Sequence, residues 1–108
     1  MKWEAPEVLG SRQGVKVFSA ASDVYAFGVM LFELVTNGQA PWATLSLLQA
    51  ANAVSSGKTL EGQLPSTTPA PLRMLMAQCW RFKAADRPGM RFVLAELMSI
   101  RKQLRIPS

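Results

Sequence analysis

The chain has 108 residues, about half of them hydrophobic, and carries 12 Lys and Arg against 7 Asp and Glu for a net charge of +5. That is one domain at most, with enough apolar residues to bury a core and too few charges for a disordered segment. A single cysteine, Cys79, excludes an internal disulfide framework, and the lack of histidine removes the commonest general base and metal ligand together.

In chain order, the segment "KWEAPEVL" sets Ala-Pro between two glutamates at the start, and residues 10–21, rich in Gly and Ser, read as a loop. "SDVYAFGVMLFELVTNG" then predicts a helix over 23–36, with Ser22 as its cap, Asp23 at the positive end of the dipole and Asn37-Gly38 as the stop. Asp23, Glu33 and Thr36 are its polar residues, so a helix apolar almost all round is expected to be buried on every side. It is too short to span a bilayer, which takes about 20 apolar residues.

"TLSLLQAANAVSSG" predicts a second helix, with Thr44 as cap, Gly57 as terminator and Leu47, Leu48, Ala51 and Val54 on one face. "PAPLRMLMAQCW" repeats Leu72, Leu75, Met76 and Cys79 at amphipathic helical spacing. "PGMRFVLAELMSIRKQLR" opens near Pro88 and repeats Val93, Leu97, Ile100 and Leu104. Its Arg101, Lys102 and Arg105 read as a solvated helix face that complements the dipole, so no nucleic-acid partner is expected. No stretch alternates at period two, and no strand is expected. The fold class is therefore all-α, four helices arranged around a central hydrophobic one that its neighbours cannot fully cover.

Catalytic constellations are missing from the sequence. It has no phosphate-cradling glycine loop, no paired cysteines at metal spacing and no nucleophile elbow. Residue chemistry alone gives a helical domain without an assigned reaction.

"KWEAPEVL" resembles the Ala-Pro-Glu segment that closes the activation region of protein kinases. "SDVYAFGVMLFELVTNGQAPW" resembles the Ser-Asp-Val-Trp-Ser-Phe-Gly helix of the kinase C-terminal lobe. "LRMLMAQCWRFKAADRPGMRFVLAEL" resembles the closing Cys-Trp and Arg-Pro segment of tyrosine kinases and tyrosine kinase-like Ser/Thr kinases. The three stand in the family's order.

The resemblance implies that residues 1–108 form part of a kinase domain, from Ala-Pro-Glu to the last helix of the C-terminal lobe of the α+β kinase fold, with the N-terminal lobe and catalytic loop absent. It implies an ion pair between Glu7 and Arg87 that anchors the activation region, and a bond from Asp23 to the backbone of the catalytic loop. Trp3, Ala5 and Pro6 would fall in a substrate-side segment. Glu4 stands where the family usually has Met or Thr, and Tyr25 where it often has Trp.

Phosphoryl transfer needs a lysine on the phosphates, a catalytic aspartate and an Asp/Asn pair on Mg²⁺. In the family these precede Ala-Pro-Glu, so no catalytic, cofactor or metal residue is expected in this chain. ATP and Mg²⁺ are implied for a longer parent that phosphorylates protein Ser/Thr or Tyr hydroxyls. The same resemblance implies a protein substrate and, with no targeting or transmembrane segment in the sequence, an intracellular place. A pseudokinase remnant or a helical interaction module without nucleotide binding is the alternative.

Overall fold

A computed structural model describes residues 2–9 and 18–103 of the chain. Among the described residues five α-helices follow one another, one more than expected because Pro6–Leu9 closes a short turn: α1 (Pro6–Leu9), α2 (Ala20–Val35), α3 (Leu47–Ser55), α4 (Ala70–Cys79) and α5 (Met90–Gln103). Single 3-10 turns at Leu60–Gln63 and Ala84–Asp86 break the connections before α4 and α5. The described residues contain no strand. Of the expected Gly/Ser loop, residues 10–17 lie outside the described residues, as do Leu104 and Arg105 of the last helical stretch.

Helix α2 is the hub. It packs against α4 and, less extensively, α5, while α1 leans on α3. Its start lies three residues before the expected one. Ser19, not Ser22, is the N-cap; the Ser19 hydroxyl accepts from the Ser22 amide at 3.1 Å, and the Ser22 hydroxyl accepts from the Ser19 amide at 2.7 Å. A reciprocal box satisfies two orphan donors at once, which a cap at Ser22 could not do.

The expected stop of α2 is present. Asn37 and Gly38 both take left-handed backbone angles, φ 58° and 93°, and the Gly38 amide returns to the Glu33 carbonyl at 2.7 Å.

The inner face of α2 makes the core. Val24, Tyr25, Val29, Leu31 and Phe32 are buried there with Met76, Cys79 and Trp80 from the end of α4. Gly28 lets the two elements touch: a Cβ at that position would lie 2.7 Å from Trp80 Nε1 and 2.8 Å from Cys79 Cβ. Glycine here serves contact rather than backbone freedom.

Two expectations fail. The central helix is not buried all round, because Met30 and Leu34 are exposed, Leu34 by 68%. Helix α3 buries Val54 as expected but not the leucines of the expected face. Its cap is Ser46 in a second capping box with Gln49, not Thr44. Ala50 and Val54 are its buried residues, while Leu47 and Leu48 face outward. A cap fixes where the helix starts, and hydrophobicity alone did not locate that start. Helix α4 buries Leu75, Met76 and Cys79, and α5 buries Val93 and Ile100, on the faces the spacing predicts. Pro88 precedes α5 by two residues rather than opening it.

Candidate functional site

Arg87 follows the second 3-10 turn and points its guanidinium back to the N-terminal segment, 80 residues away in sequence. Nη1 and Nη2 donate to Glu7 Oε2 and Oε1 at 2.7 and 2.8 Å, the parallel fork that suits a planar guanidinium. The remaining donors are also used. Nε donates to the Arg81 carbonyl at 2.8 Å, Nη1 to Ala21 at 3.1 Å and Nη2 to Phe82 at 3.1 Å. The cation also lies over the Tyr25 ring, 5.0 Å from its centroid.

The Arg87 side chain is 0% exposed and that of Glu7 35%, so burial is complete on one side of the pair only. The hydrogen bond from Arg87 holds the Glu7 carboxyl below the usual carboxylate range, against an opposing push from partial burial. Burial pushes the Tyr25 phenol up to about 12 and the Cys79 thiol up to about 11, with Arg87 opposing both. Cys79 is consequently an inert core residue rather than a nucleophile.

One cation thus joins α1, the start of α2 and the loop before α5. Asp23, the other anchoring residue read from the sequence, sits exposed in the first turn of α2, where its charge suits the dipole. Of the substrate-side segment, Ala5 and Pro6 are buried, and Trp3 is 46% exposed. Glu4, between them, is buried as well. A passing molecule can therefore meet Trp3 in this segment but not the side chains of Ala5 or Pro6.

Lys2 escaped the sequence reading. Its ammonium donates to the Trp42 and Leu45 carbonyls at 3.1 and 2.8 Å. Trp42 is a buried residue held at φ 53°, a conformation that L-residues seldom adopt. Lys2 thereby ties the N-terminal segment to the loop after α2. Backbone carbonyls leave no signature in a sequence, so no signal could have found this contact.

No group of three or more His, Cys, Asp or Glu among the described residues could hold a metal ion. The ammonium of Lys2 and the guanidinium of Arg87 are committed to carbonyls and to Glu7. What the arrangement does is mechanical: it clamps an Ala-Pro-Glu segment onto a helical lobe.

Residues 1–97 match the family model of the protein tyrosine and serine/threonine kinases. The chain belongs to that family. It is 37% identical over 97 residues to the megakaryocyte-associated tyrosine-protein kinase of Rattus norvegicus, covering 90% of this chain and 20% of that protein. Over 106 residues it is 33% identical to the tyrosine-protein kinase Srms of Mus musculus, covering 98% of this chain and 20% of Srms. With mitogen-activated protein kinase kinase kinase 11 of Homo sapiens it shares 38% over 102 residues, 94% of this chain and 11% of that kinase. The chain thus spans a fifth or less of the length of these relatives. The helical architecture of the described residues, which contain no strand, fits a piece of the kinase C-terminal lobe. No helix among the described residues is long and apolar enough to cross a membrane.

Proposed function

We propose that this chain is the substrate-side portion of a protein kinase domain, in which the whole domain transfers phosphate from ATP to Ser/Thr or Tyr hydroxyls of proteins inside the cell. On this reading the N-terminal lobe and catalytic loop are contributed from outside these 108 residues, and the chain alone neither binds ATP·Mg²⁺ nor transfers phosphate.

The observation that carries the reading is the Glu7–Arg87 clasp. Two hydrogen bonds tie Glu7 to Arg87, and three more fix Arg87 to the Arg81, Ala21 and Phe82 carbonyls. Asp23 keeps its exposed place at the head of α2, where a catalytic loop would meet it.

Calorimetry with ATP·Mg²⁺ on this chain is expected to give no saturable heat, and a micromolar affinity would refute the reading. In the longer protein, phosphorylation of a hydroxyl peptide is expected, and its loss on Arg87→Ala should track loss of folded protein. Exposed Met30 and Leu34 of α2 and Leu47 and Leu48 of α3 favour a second reading as a helical interaction module. Degenerate catalytic motifs in the coding sequence upstream of Met1 would select it.

A further inference from the structure

Helix α5 turns two very different sides outward and inward. Val93 and Ile100 are buried, and Glu96, the one acid of the helix, lines a cavity on the side of α4. The opposite side carries Arg91, Leu94, Ala95, Met98, Arg101 and Lys102, all of them exposed. Their spacing follows the 3.6-residue turn, so the six form a single stripe along the helix. Leu94 is 47% exposed and Met98 63%, and the middle of the stripe is therefore apolar surface facing solvent. Cations close it at both ends, Arg91 standing about 15 Å from Arg101 along the axis at ~1.5 Å per residue. None of these three cations makes a hydrogen bond or ion pair among the described residues. Arg73, Arg81 and Arg87, by contrast, are each bonded to backbone carbonyls.

The stripe defines its partner. Apolar side chains set between unpaired cations, with no acid among them, complement a surface that is anionic outside and apolar beneath. Long basic side chains lie along apolar material while their charged ends stay in the polar layer. Leu94 and Met98 distinguish such a partner from a nucleic acid, whose backbone meets cations alone. The shape agrees. The stripe is the convex ridge of a surface helix, which beds into a deformable layer, whereas a helical partner is laid into a groove.

We infer that the outward stripe of α5 docks this protein on an anionic lipid surface. Leu94 and Met98 enter the interface, and Arg91, Arg101 and Lys102 meet the headgroups. The inference is independent of the kinase reading, because it rests on the residues and exposure of α5 alone. Each Lys or Arg beside an anionic leaflet is worth about fivefold in affinity. Three cations and two partly inserted apolar side chains therefore give a contact that is reversible and sensitive to salt.

The test is co-sedimentation of the full chain with phosphatidylcholine vesicles carrying about 30% phosphatidylserine, set against vesicles of phosphatidylcholine alone. Binding is expected on the anionic vesicles only, and it should fall more than about tenfold as salt rises from roughly 50 to roughly 300 mM. Arg101→Gln combined with Lys102→Gln should weaken it about 25-fold, two cations at about fivefold each. Met98→Gln changes no charge and should still weaken it about fivefold, through the apolar contact it removes. Lys58→Gln, at an exposed cation outside α5, should leave affinity within about twofold. All of these positions are exposed, and circular dichroism of each variant reports that the helices are kept. Met98→Cys labelled with a polarity-sensitive dye reads insertion directly, since buried Cys79 stays unlabelled. Its emission should shift to the blue on anionic vesicles.

No binding to anionic vesicles, equal binding to neutral ones or an unaffected double variant would each overturn the inference. Parent-like binding by Met98→Gln, or an equal loss in Lys58→Gln, would overturn it by reducing the contact to diffuse attraction of a chain with net charge +5. A chain that ignores vesicles but binds an amphipathic peptide with glutamates on its polar face would overturn it too, and would assign the stripe to a protein partner.

Discussion

The two faces of α2 are built from similar residues and held in different ways. On the inner face, Gly28 admits the Trp80 indole to closer contact than a methyl group would permit, and Arg87 closes on the Ala21 carbonyl at the head of the helix. On the outer face, Met30 and Leu34 stand in solvent with Glu33 between them. Composition reads both faces as core. The inner face is specified by shape and by directional bonds, and a methylene is felt there. The outer face asks only for residues that tolerate a helix. Substitutions on the two sides should therefore differ by an order of magnitude in effect.

Arg87→Ala should have the largest effect. It removes the buried cation that grips Glu7 and, in the same step, the donors to Arg81, Ala21 and Phe82. Breaking a buried pair by removing one partner costs about 3–5 kcal/mol, and that is a large share of a domain stability of roughly 5–15 kcal/mol. Urea unfolding followed by circular dichroism would measure it. A cost within about 1 kcal/mol, typical of a surface pair, would erase the distinction between the faces.

Gly28→Ala tests the inner face by addition. Helix propensity favours alanine over glycine by about 0.5–1 kcal/mol. The new methyl would fall 2.7 Å from Trp80 Nε1 and 2.8 Å from Cys79 Cβ, and a buried ring and a helix-borne Cβ are not free to retreat. Overpacking of this kind costs about 1–3 kcal/mol, so the clash should outweigh the propensity. Gly62, with open space around it, supplies the control. Gly62→Ala should change the unfolding midpoint little, and a stabilised Gly28→Ala would show that the α2–α4 seam can open without loss.

These contrasts also mark what the sequence could reveal. The stop at Asn37-Gly38 was legible because a left-handed pair has few possible occupants. The buried sides of α4 and α5 were legible because Leu75, Met76, Cys79, Val93 and Ile100 keep a strict period. Helix starts were harder to place. Ser19 and Ser22 are both good caps, and the reciprocal box that chooses Ser19 depends on backbone geometry. Leu47 and Leu48 looked like core because apolar identity does not say where a helix begins or what lies opposite. Glu7 and Arg87, 80 positions apart, came together in the sequence only through family resemblance. The contact of Lys2 with two carbonyls had no trace of either kind.

Glu7→Gln sharpens the inner face from its exposed side. Arg87 keeps its three carbonyl acceptors in this variant, so the loss should sit near the lower end of the roughly 1.5–3 kcal/mol given for bonds to charged groups, reduced further by solvent. The pH dependence carries more information. The folded-state pKa of Glu7 lies below its ordinary value of 4.5, so the stabilisation is fully present above that value and is lost as pH falls through the lowered folded pKa. Thermal unfolding from pH 7 down to pH 3 should show the parent chain losing this increment in acid. Glu7→Gln should be less stable at neutral pH and should converge on the parent at the acid end. Parallel profiles would mean that the carboxylate adds nothing beyond an amide.

Leu34→Lys probes the outer face, and its effect should be the smallest. Leu34 is 68% exposed in the last turn of α2, so little apolar area is given up. Leucine and lysine have nearly equal helix propensities. A cation near a helix C-terminus gains about 0.3–1 kcal/mol from the dipole at low salt. The expected result is a stability unchanged or slightly raised, with the gain fading as salt is added, together with weaker fluorescence of a dye that binds exposed apolar surface. The same change at Phe32, wholly buried on the inner face, would place a charge in the core. If Leu34→Lys instead cost more than about 1 kcal/mol, Leu34 would have to be covered in solution, because an exposed leucine lacks the buried contacts needed for a loss of that size.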